Sequence, residues 1–140
     1  MLCARGGAVR HAVLDTNILV SALMRPEGPP GRVMAAVKRG EWVPVLSRAI
    51  LAEYETVLQR PRLRLDAAKG GAALEALRAI GLVIPGEAPP APPGLPDDTD
   101  WPFIACALAA DCPVITGNAR DFPQVLGVRV LTARQWVEAV

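Results

Sequence analysis

The residues best suited to chemistry in this sequence are acidic or amide side chains at the ends of short apolar runs. Asp15 directly follows the apolar residues 12–14, and Asn118 and Asp121 follow residues 113–116, which are apolar except for Thr116. In open α/β sheets, ligands bind beyond the carboxyl ends of the strands. If these two runs form neighbouring strands, we expect the three side chains to meet at one edge of the sheet.

Further acids extend this set. Glu53 lies within an earlier helical segment and could point towards the same edge of the sheet. Three aspartates precede the helix that leads to residues 113–116: Asp97, Asp98 and Asp100. Carboxylates held together raise one another's pKa unless a cation compensates. An all-oxygen ligand set suits Mg²⁺ or Mn²⁺ rather than Zn²⁺, and such ions catalyse phosphodiester hydrolysis. The spacing therefore favours a magnesium or manganese site.

Each acid also has a purely structural interpretation. Asp100 could serve only as a helix N-cap, Asp15 as an Asx-turn residue and Glu53 as a solvated helix residue. Other catalytic systems lack their usual signals, because the sequence has no GxGxxG, GxxxxGK[ST] or GxSxG motif. The single histidine, His11, precedes the first predicted strand, and no histidine lies near the three cysteines, which makes a thiol nucleophile a poor alternative.

Charge is distributed unevenly along a chain that is nearly neutral as a whole. The 140 residues carry a formal net charge of +1, which argues against nucleic-acid binding through bulk charge. Residues 25–64, however, contain eight basic and four acidic side chains, whereas residues 87–121 contain six acidic side chains and one arginine. Any electrostatic recognition is therefore expected to be local.

The elements that would position these residues alternate between strand and helix. Five short apolar runs are typical of buried strands: residues 12–14, 43–46, 82–84, 113–116 and 128–131. Helical segments separate these runs. We expect helices to begin at Ser47, Asp66 and Thr132, and the helix between the first two runs that lies nearer to residue 43 to begin at Arg32. This alternation predicts a single α/β domain over residues 12–140, with a parallel sheet of about four to five strands. Pro44 suggests that its strand lies at a sheet edge.

The remaining segments are expected to be irregular. Residues 1–11 resemble a loose leader, and residues 85–96, with six prolines, predict an extended surface loop. The three cysteines form no CxxC pair, and we find neither a signal peptide nor an apolar stretch long enough to span a membrane. These features predict a cytoplasmic protein without disulfides.

Four segments, taken in order, resemble the PIN-domain ribonuclease family, and most of all its VapC-like branch of type II toxin–antitoxin systems. They are LDTNILVSA (14–22), the segment 47–53 with its helical Glu, DDTDWPFIACA (97–107) and ITGNARDFP (115–123). The resemblance implies a PIN-like fold and a Mg²⁺- or Mn²⁺-dependent endoribonuclease that leaves 5′-phosphate and 3′-hydroxyl ends.

The family's site residues can be carried over one by one. The resemblance implies that Asp15, Glu53 and Asp100 hold the metal, with Asp97 as a neighbour that shares the role of Asp100. It also implies that Asp121 or one of the metal ligands orients the attacking water. Asn118 stands where many relatives carry an acid directly after Thr-Gly, and it offers a carbonyl oxygen but no charge. Three further side chains are candidates for orienting the carboxylates or contacting substrate: Thr16, Asn17 and Thr116.

The resemblance also implies partners. RNA phosphates would contact the Arg-rich segment, with Arg25, Arg32 and Arg48 the best placed, and the protein would form a homodimer and bind a cognate antitoxin. Trp42, Trp101 and Trp136 could stack on bases, although core packing explains them better. Two alternatives are a catalytically weak PIN-like module that binds RNA or protein, and a small Mg²⁺-dependent phosphotransferase.

Overall fold

The computed structural model of the chain describes residues 10–95, 98–118 and 127–139, and of residue 98 only the backbone. These residues contain five strands: β1 (His11–Leu14), β2 (Val43–Leu46), β3 (Leu82–Val83), β4 (Val114–Ile115) and β5 (Val130–Leu131). They contain six α-helices: α1 (Thr16–Met24), α2 (Pro29–Lys38), α3 (Arg48–Leu58), α4 (Ala67–Ile80), α5 (Trp101–Ala110) and α6 (Ala133–Glu138). β1 begins at His11, one residue before the domain boundary expected from the sequence.

The strands form one sheet in the order β3-β2-β1-β4-β5, and every neighbouring pair is parallel. The predicted α/β class is therefore confirmed, with five strands in the described part of the chain. β1 lies at the centre, and its residues 12–14 are fully buried because helices cover both faces of a parallel sheet. The order also makes β1 and β4 neighbours, with Leu14 opposite Ile115.

Side-chain caps explain where several helices begin. The Ser47 hydroxyl accepts a hydrogen bond from the backbone N–H of Ile50 at 3.2 Å, and Thr132 forms a capping box with Gln135. Both predicted starts are confirmed. α2 instead begins at Pro29, three residues before the predicted start at Arg32. Proline is well tolerated in the first turn, since the missing N–H has no partner there in any helix.

The expectation that Pro44 marks an edge strand is wrong, because β2 lies between β3 and β1. The N–H of Val43 bonds to Arg10 and the carbonyl of Leu46 accepts from Ile84. Backbone groups alternate in direction along a strand, so the position of Pro44 faces β3. Pairing with β3 starts only at Val45, opposite Leu82, and the missing N–H therefore costs no ladder hydrogen bond.

Two of the three tryptophans belong to the hydrophobic core. Trp42 and Trp136 are 1% and 4% exposed and pack edge to face, with ring centroids 5.4 Å apart. Neither ring is available to stack on a base, so core packing is confirmed for both. The indole N–H of Trp101 donates to the carbonyl of Pro89 at 2.7 Å and ties the proline-rich segment to α5.

The described part of that proline-rich segment, residues 85–95, contains neither helix nor strand, as predicted. Across the residues that the structure describes, no helix has the length and apolar character needed to cross a bilayer.

Candidate active site

The site is built at the edge of the sheet where β1 and β4 end. The backbone N–H of Asp15 donates to the carbonyl of Ile115 at 2.9 Å, so the parallel ladder continues to the residue that follows β1. Thr116 follows β4 directly and is fully buried. The two strand ends predicted to be neighbours therefore are neighbours, and this pairing brings Asp15 and Thr116 together.

Asp15 is a buried carboxylate, with 6% of the residue exposed. The Thr116 hydroxyl donates to its Oδ2 at 2.6 Å, and the side chain makes no capping hydrogen bond to α1. Burial raises the pKa of Asp15 above its ordinary value, and the negative charge of Glu53 raises it further. The Thr116 hydroxyl and the nearby N–H groups of Thr16 and Asn17 oppose this rise only in part.

Glu53 reaches the same place from α3. It is half-buried, and the hydroxyl of Thr16 donates to its Oε2 at 2.8 Å. Thr16, in the first turn of α1, is 4% exposed and therefore has little freedom to move. The structure thus brings Asp15 and Glu53 together, and each carboxylate accepts a hydrogen bond from one buried threonine.

Tyr54 is a residue of this region that the sequence did not reveal. Its side chain is fully buried, and its hydroxyl donates to the carbonyl of Leu14, the residue before Asp15. Burial, with the charge of Asp15 next in importance, raises its pKa well above the ordinary value, so the phenol stays protonated. The signal was a tyrosine on the apolar face of α3, since a buried tyrosine hydroxyl needs a hydrogen-bond partner.

Asp100 stands at the N-cap position of α5, but its side chain makes no capping bond to that helix. Phe103, one turn later, is buried and packs against Tyr54 with ring centroids 6.4 Å apart. The first turn of α5 therefore lies over the part of α3 that carries Glu53. Asp97 and Asp121 lie outside the described residues, so their assigned roles stay predictions.

The backbone after β4 is held by the same threonine that contacts Asp15. The N–H of Asn118 donates to the Thr116 hydroxyl at 3.0 Å, which leaves the hydroxyl proton for Asp15. Asn118 and Asn17 are both exposed, so their side chains face solvent next to the buried carboxylate. This arrangement suits contacts to a substrate or to a water molecule.

A divalent cation such as Mg²⁺ needs several oxygen ligands. In residues 10–95, 98–118 and 127–139, no group of three His, Cys, Asp or Glu side chains is arranged to hold a metal ion. Asp15 and Glu53 nevertheless supply two neighbouring carboxylates. Mg²⁺ is often bound through one or two carboxylates while it keeps several waters, so this pair fits such an ion.

The three arginines predicted to contact phosphate lie in different places. Arg48 follows the carboxyl end of β2, the strand beside β1, and Arg25 caps the C-terminal end of α1. Arg32 instead lines a pocket together with Arg10. Arg10 precedes β1, whereas Asp15 follows β1. The structure therefore separates Arg32 from the acidic site.

The cysteines described by the structure are not suited to catalysis. Cys106 and Cys112 are buried free thiols, and burial raises the pKa of Cys106 to about 12 and that of Cys112 to about 11. Neither thiol ionises near neutral pH, and a nucleophilic cysteine needs the thiolate.

Comparison with known proteins agrees with this architecture. The family model described as PIN domain matches residues 11–120. The fold is similar to that of a chain in the 2.2 Å resolution structure of VapBC-1 from nontypeable Haemophilus influenzae, with a TM-score of 0.58 and 17% sequence identity. The match covers 89% of this chain and 98% of that chain. Among curated proteins, no sequence matches. Because the family model spans most of the chain, this protein belongs to the PIN-domain family.

Proposed function

We propose that this protein is a metal-dependent endoribonuclease whose centre is the pair Asp15 and Glu53. The observation that carries the proposal is the burial of the Asp15 carboxylate beside a second carboxylate, each with a hydrogen bond from a threonine hydroxyl. Two neighbouring negative charges are unfavourable without a compensating cation. Membership of the PIN-domain family and the all-oxygen character of the pair both support a hard divalent cation.

In this proposal Asp15, Glu53 and Asp100 hold Mg²⁺ or Mn²⁺. The bound ion would supply an activated water and offset the negative charge that develops on the phosphoryl group. Thr116 and Thr16 keep the two carboxylates oriented, as their short hydrogen bonds indicate. Asp121 orients the attacking water, Asp97 assists Asp100, and Asn17 and Asn118 contact the substrate or its water.

The proposed substrate is RNA, cleaved to 5′-phosphate and 3′-hydroxyl ends. Arg48, which follows the carboxyl end of β2, is the candidate for a phosphate contact near the acidic pair, and Arg25, at the far end of α1, is the candidate for a more distant one; both are exposed. These contacts would position the backbone rather than select its sequence.

The biological role that we propose is that of the toxin in a type II toxin–antitoxin pair. The similarity to a chain of VapBC-1 supports a cognate antitoxin as partner. We also propose a homodimer in the cytoplasm, in keeping with the VapC-like resemblance of the sequence.

One alternative is favoured by a particular residue. Asn118 brings no charge to a position where many relatives carry an acid, which favours a catalytically weak PIN-like module that binds RNA or protein. The two proposals differ in whether the acidic pair is needed for turnover.

The experiment compares cleavage of a panel of RNAs with Mg²⁺, with Mn²⁺ and with EDTA. We expect cleavage only with a divalent cation, and loss of cleavage in Asp15→Asn, Glu53→Gln and Asp100→Asn. Asp111→Asn is the matched control, because Asp111 is an exposed aspartate at the end of α5. It precedes β4, whereas Thr116 follows β4. Equal cleavage by wild type and Asp15→Asn would identify a contaminating nuclease and refute the proposal.

A second readout separates metal binding from turnover. Mn²⁺ should raise the Tm of the wild type but not that of Asp15→Asn, because a ligand that binds only the folded state stabilises it. If Mn²⁺ raises both Tm values equally, the ion binds elsewhere.

A further inference from the structure

A second pocket lies at the other edge of the sheet, where the strands begin. It is a cavity of about 180 Å³ between Arg10, which precedes β1, helix α2, the turn before β2 and helix α6. Its lining includes three arginines, one acid and two tryptophans: Arg10, Arg32, Arg39, Glu41, Trp42 and Trp136. β1 has four residues, so the pocket and Asp15 are separated by about 13 Å at 3.3 Å per residue.

The pocket carries more positive than negative charge. Arg39 is paired with Glu41, with 2.6 Å from Nε to Oε2 and 3.3 Å from Nη2 to Oε1. Within the described part of the chain, neither Arg10 nor Arg32 forms an ion pair. Among the described residues, the guanidinium groups of Arg10 and Arg32 therefore have no carboxylate partner in this small concave site.

Arg10 is held in place by the aromatic floor of the pocket. Its guanidinium carbon lies 3.6 Å from the centre of the Trp136 ring, and its Nη2 donates to the carbonyl of Trp136 at 3.3 Å. Partial burial lowers the pKa of Arg10, although a guanidinium stays charged at neutral pH. A fixed, partly desolvated cation interacts more strongly with an anion than a solvated one does.

One buried donor in the lining also lacks a partner. Trp42 donates its indole N–H to the carbonyl of Val33 at 3.0 Å. The Nε1 of Trp136, in contrast, is buried and has no acceptor among the residues that the structure describes. An unpaired buried N–H is unfavourable, so Trp136 contributes an unsatisfied donor beside the pocket.

We propose that this pocket binds a phosphate group, supplied either by the RNA backbone or by a free nucleotide. The guanidinium groups of Arg10 and Arg32 match the charge and the several acceptor oxygens of phosphate. The volume suits one phosphate rather than a whole nucleotide, since pockets for larger ligands have roughly 300–1,000 Å³. Both tryptophans are buried, so the base is left outside and sequence is not read here.

The test is equilibrium dialysis of the metal-free protein against radiolabelled inorganic phosphate. We expect saturable binding of one phosphate per chain, weakened roughly tenfold or more in Arg32→Gln, which loses one charge-assisted contact. Arg62→Gln is the matched control, since Arg62 is an exposed arginine outside the pocket. Tryptophan fluorescence would follow the same titration, since Trp42 and Trp136 line the pocket.

Three results would overturn the proposal: no saturable binding, equal weakening in Arg32→Gln and Arg62→Gln, or acetate competing as well as phosphate. The last would assign the pocket to a carboxylate, such as one from a protein partner. Competition by a nucleoside monophosphate and by a 5′-hydroxyl oligoribonucleotide distinguishes the two phosphate sources. Both competition experiments use the Asp15→Asn variant, which should not cleave RNA. Failure of the nuclease proposal and failure of the phosphate-pocket proposal are therefore observed separately.

Discussion

Replacing Thr116 by valine removes the hydroxyl that donates to the buried Asp15 carboxylate and accepts from the N–H of Asn118. Valine has nearly the same shape, and Thr116 is fully buried, so the change removes the hydroxyl with little loss of packing. The lost bond, 2.6 Å from Oγ1 to Asp15 Oδ2, involves a charged acceptor and contributes about 1.5–3 kcal/mol. In a chain of 140 residues this lowers the Tm by about 5–10 °C.

The effect of Thr116→Val should depend on pH. Burial raises the pKa of Asp15, so the folded state favours the protonated acid, and the stability of the metal-free protein falls as the pH rises through that pKa. The Thr116 hydroxyl favours the ionised form, so its loss raises the pKa further. The destabilisation is therefore greatest at neutral pH and becomes smaller as the pH falls towards about 4 and more of the Asp15 carboxyl is protonated.

Denaturant unfolding of the metal-free protein at the two pH values measures this difference. Thr56→Val, at an exposed position of α3, is the control and should change stability by less than about 0.5 kcal/mol. In an Asp15→Asn background the cost of Thr116→Val should fall to about 0.5–1.5 kcal/mol. A cost that is the same at both pH values and in both backgrounds would refute this account of the site.

Three further predictions concern neighbouring groups. Asp15→Asn should raise the stability of the metal-free protein at neutral pH while abolishing cleavage, because it removes a buried charge; a lower Tm than the wild type would contradict this. Tyr54→Phe should cost about 1 kcal/mol in unfolding free energy, because the carbonyl of Leu14 loses its buried donor, and an unchanged Tm would argue against that bond. In a Cys3→Ser variant at pH 8, a disulfide reagent should modify Cys106 and Cys112 only after denaturation, since burial raises their pKa values to about 12 and about 11. Rapid labelling of the native protein would show that these thiols are accessible.

The phosphate pocket changes the interpretation of the basic segment 25–64. The uneven charge along the sequence suggested one basic surface beside the acids. In the fold, Arg48 follows the carboxyl end of β2, whereas Arg32 and Arg39 line the pocket with Arg10 near the beginning of β1. Arg32 and Arg39 are separated from Arg48 because α2 precedes β2 and α3 follows it. The arginines of these two helices therefore lie at different edges of the sheet.

The local features of this protein are determined by the sequence itself. Alternating apolar runs and helical segments predicted all five strands, and Ser47 and Thr132 marked helix starts, because burial patterns and N-caps depend on nearby residues. The sequence also identified Asp15 as a candidate acid, since this residue directly follows β1. α2 begins at Pro29 rather than at the predicted Arg32, because proline is well tolerated in the first turn of a helix.

Only the tertiary structure decided how these features meet. The strand order makes β4 the neighbour of β1 and so places Thr116 against Asp15, although the two residues are 101 positions apart in the chain. It also puts Pro44 in an interior strand and directs the Tyr54 hydroxyl to Leu14. Hydrogen bonds between distant residues depend on strand order and helix packing, which local periodicity does not encode. The sequence therefore supplied the chemical groups, and the sheet decided which of them act together.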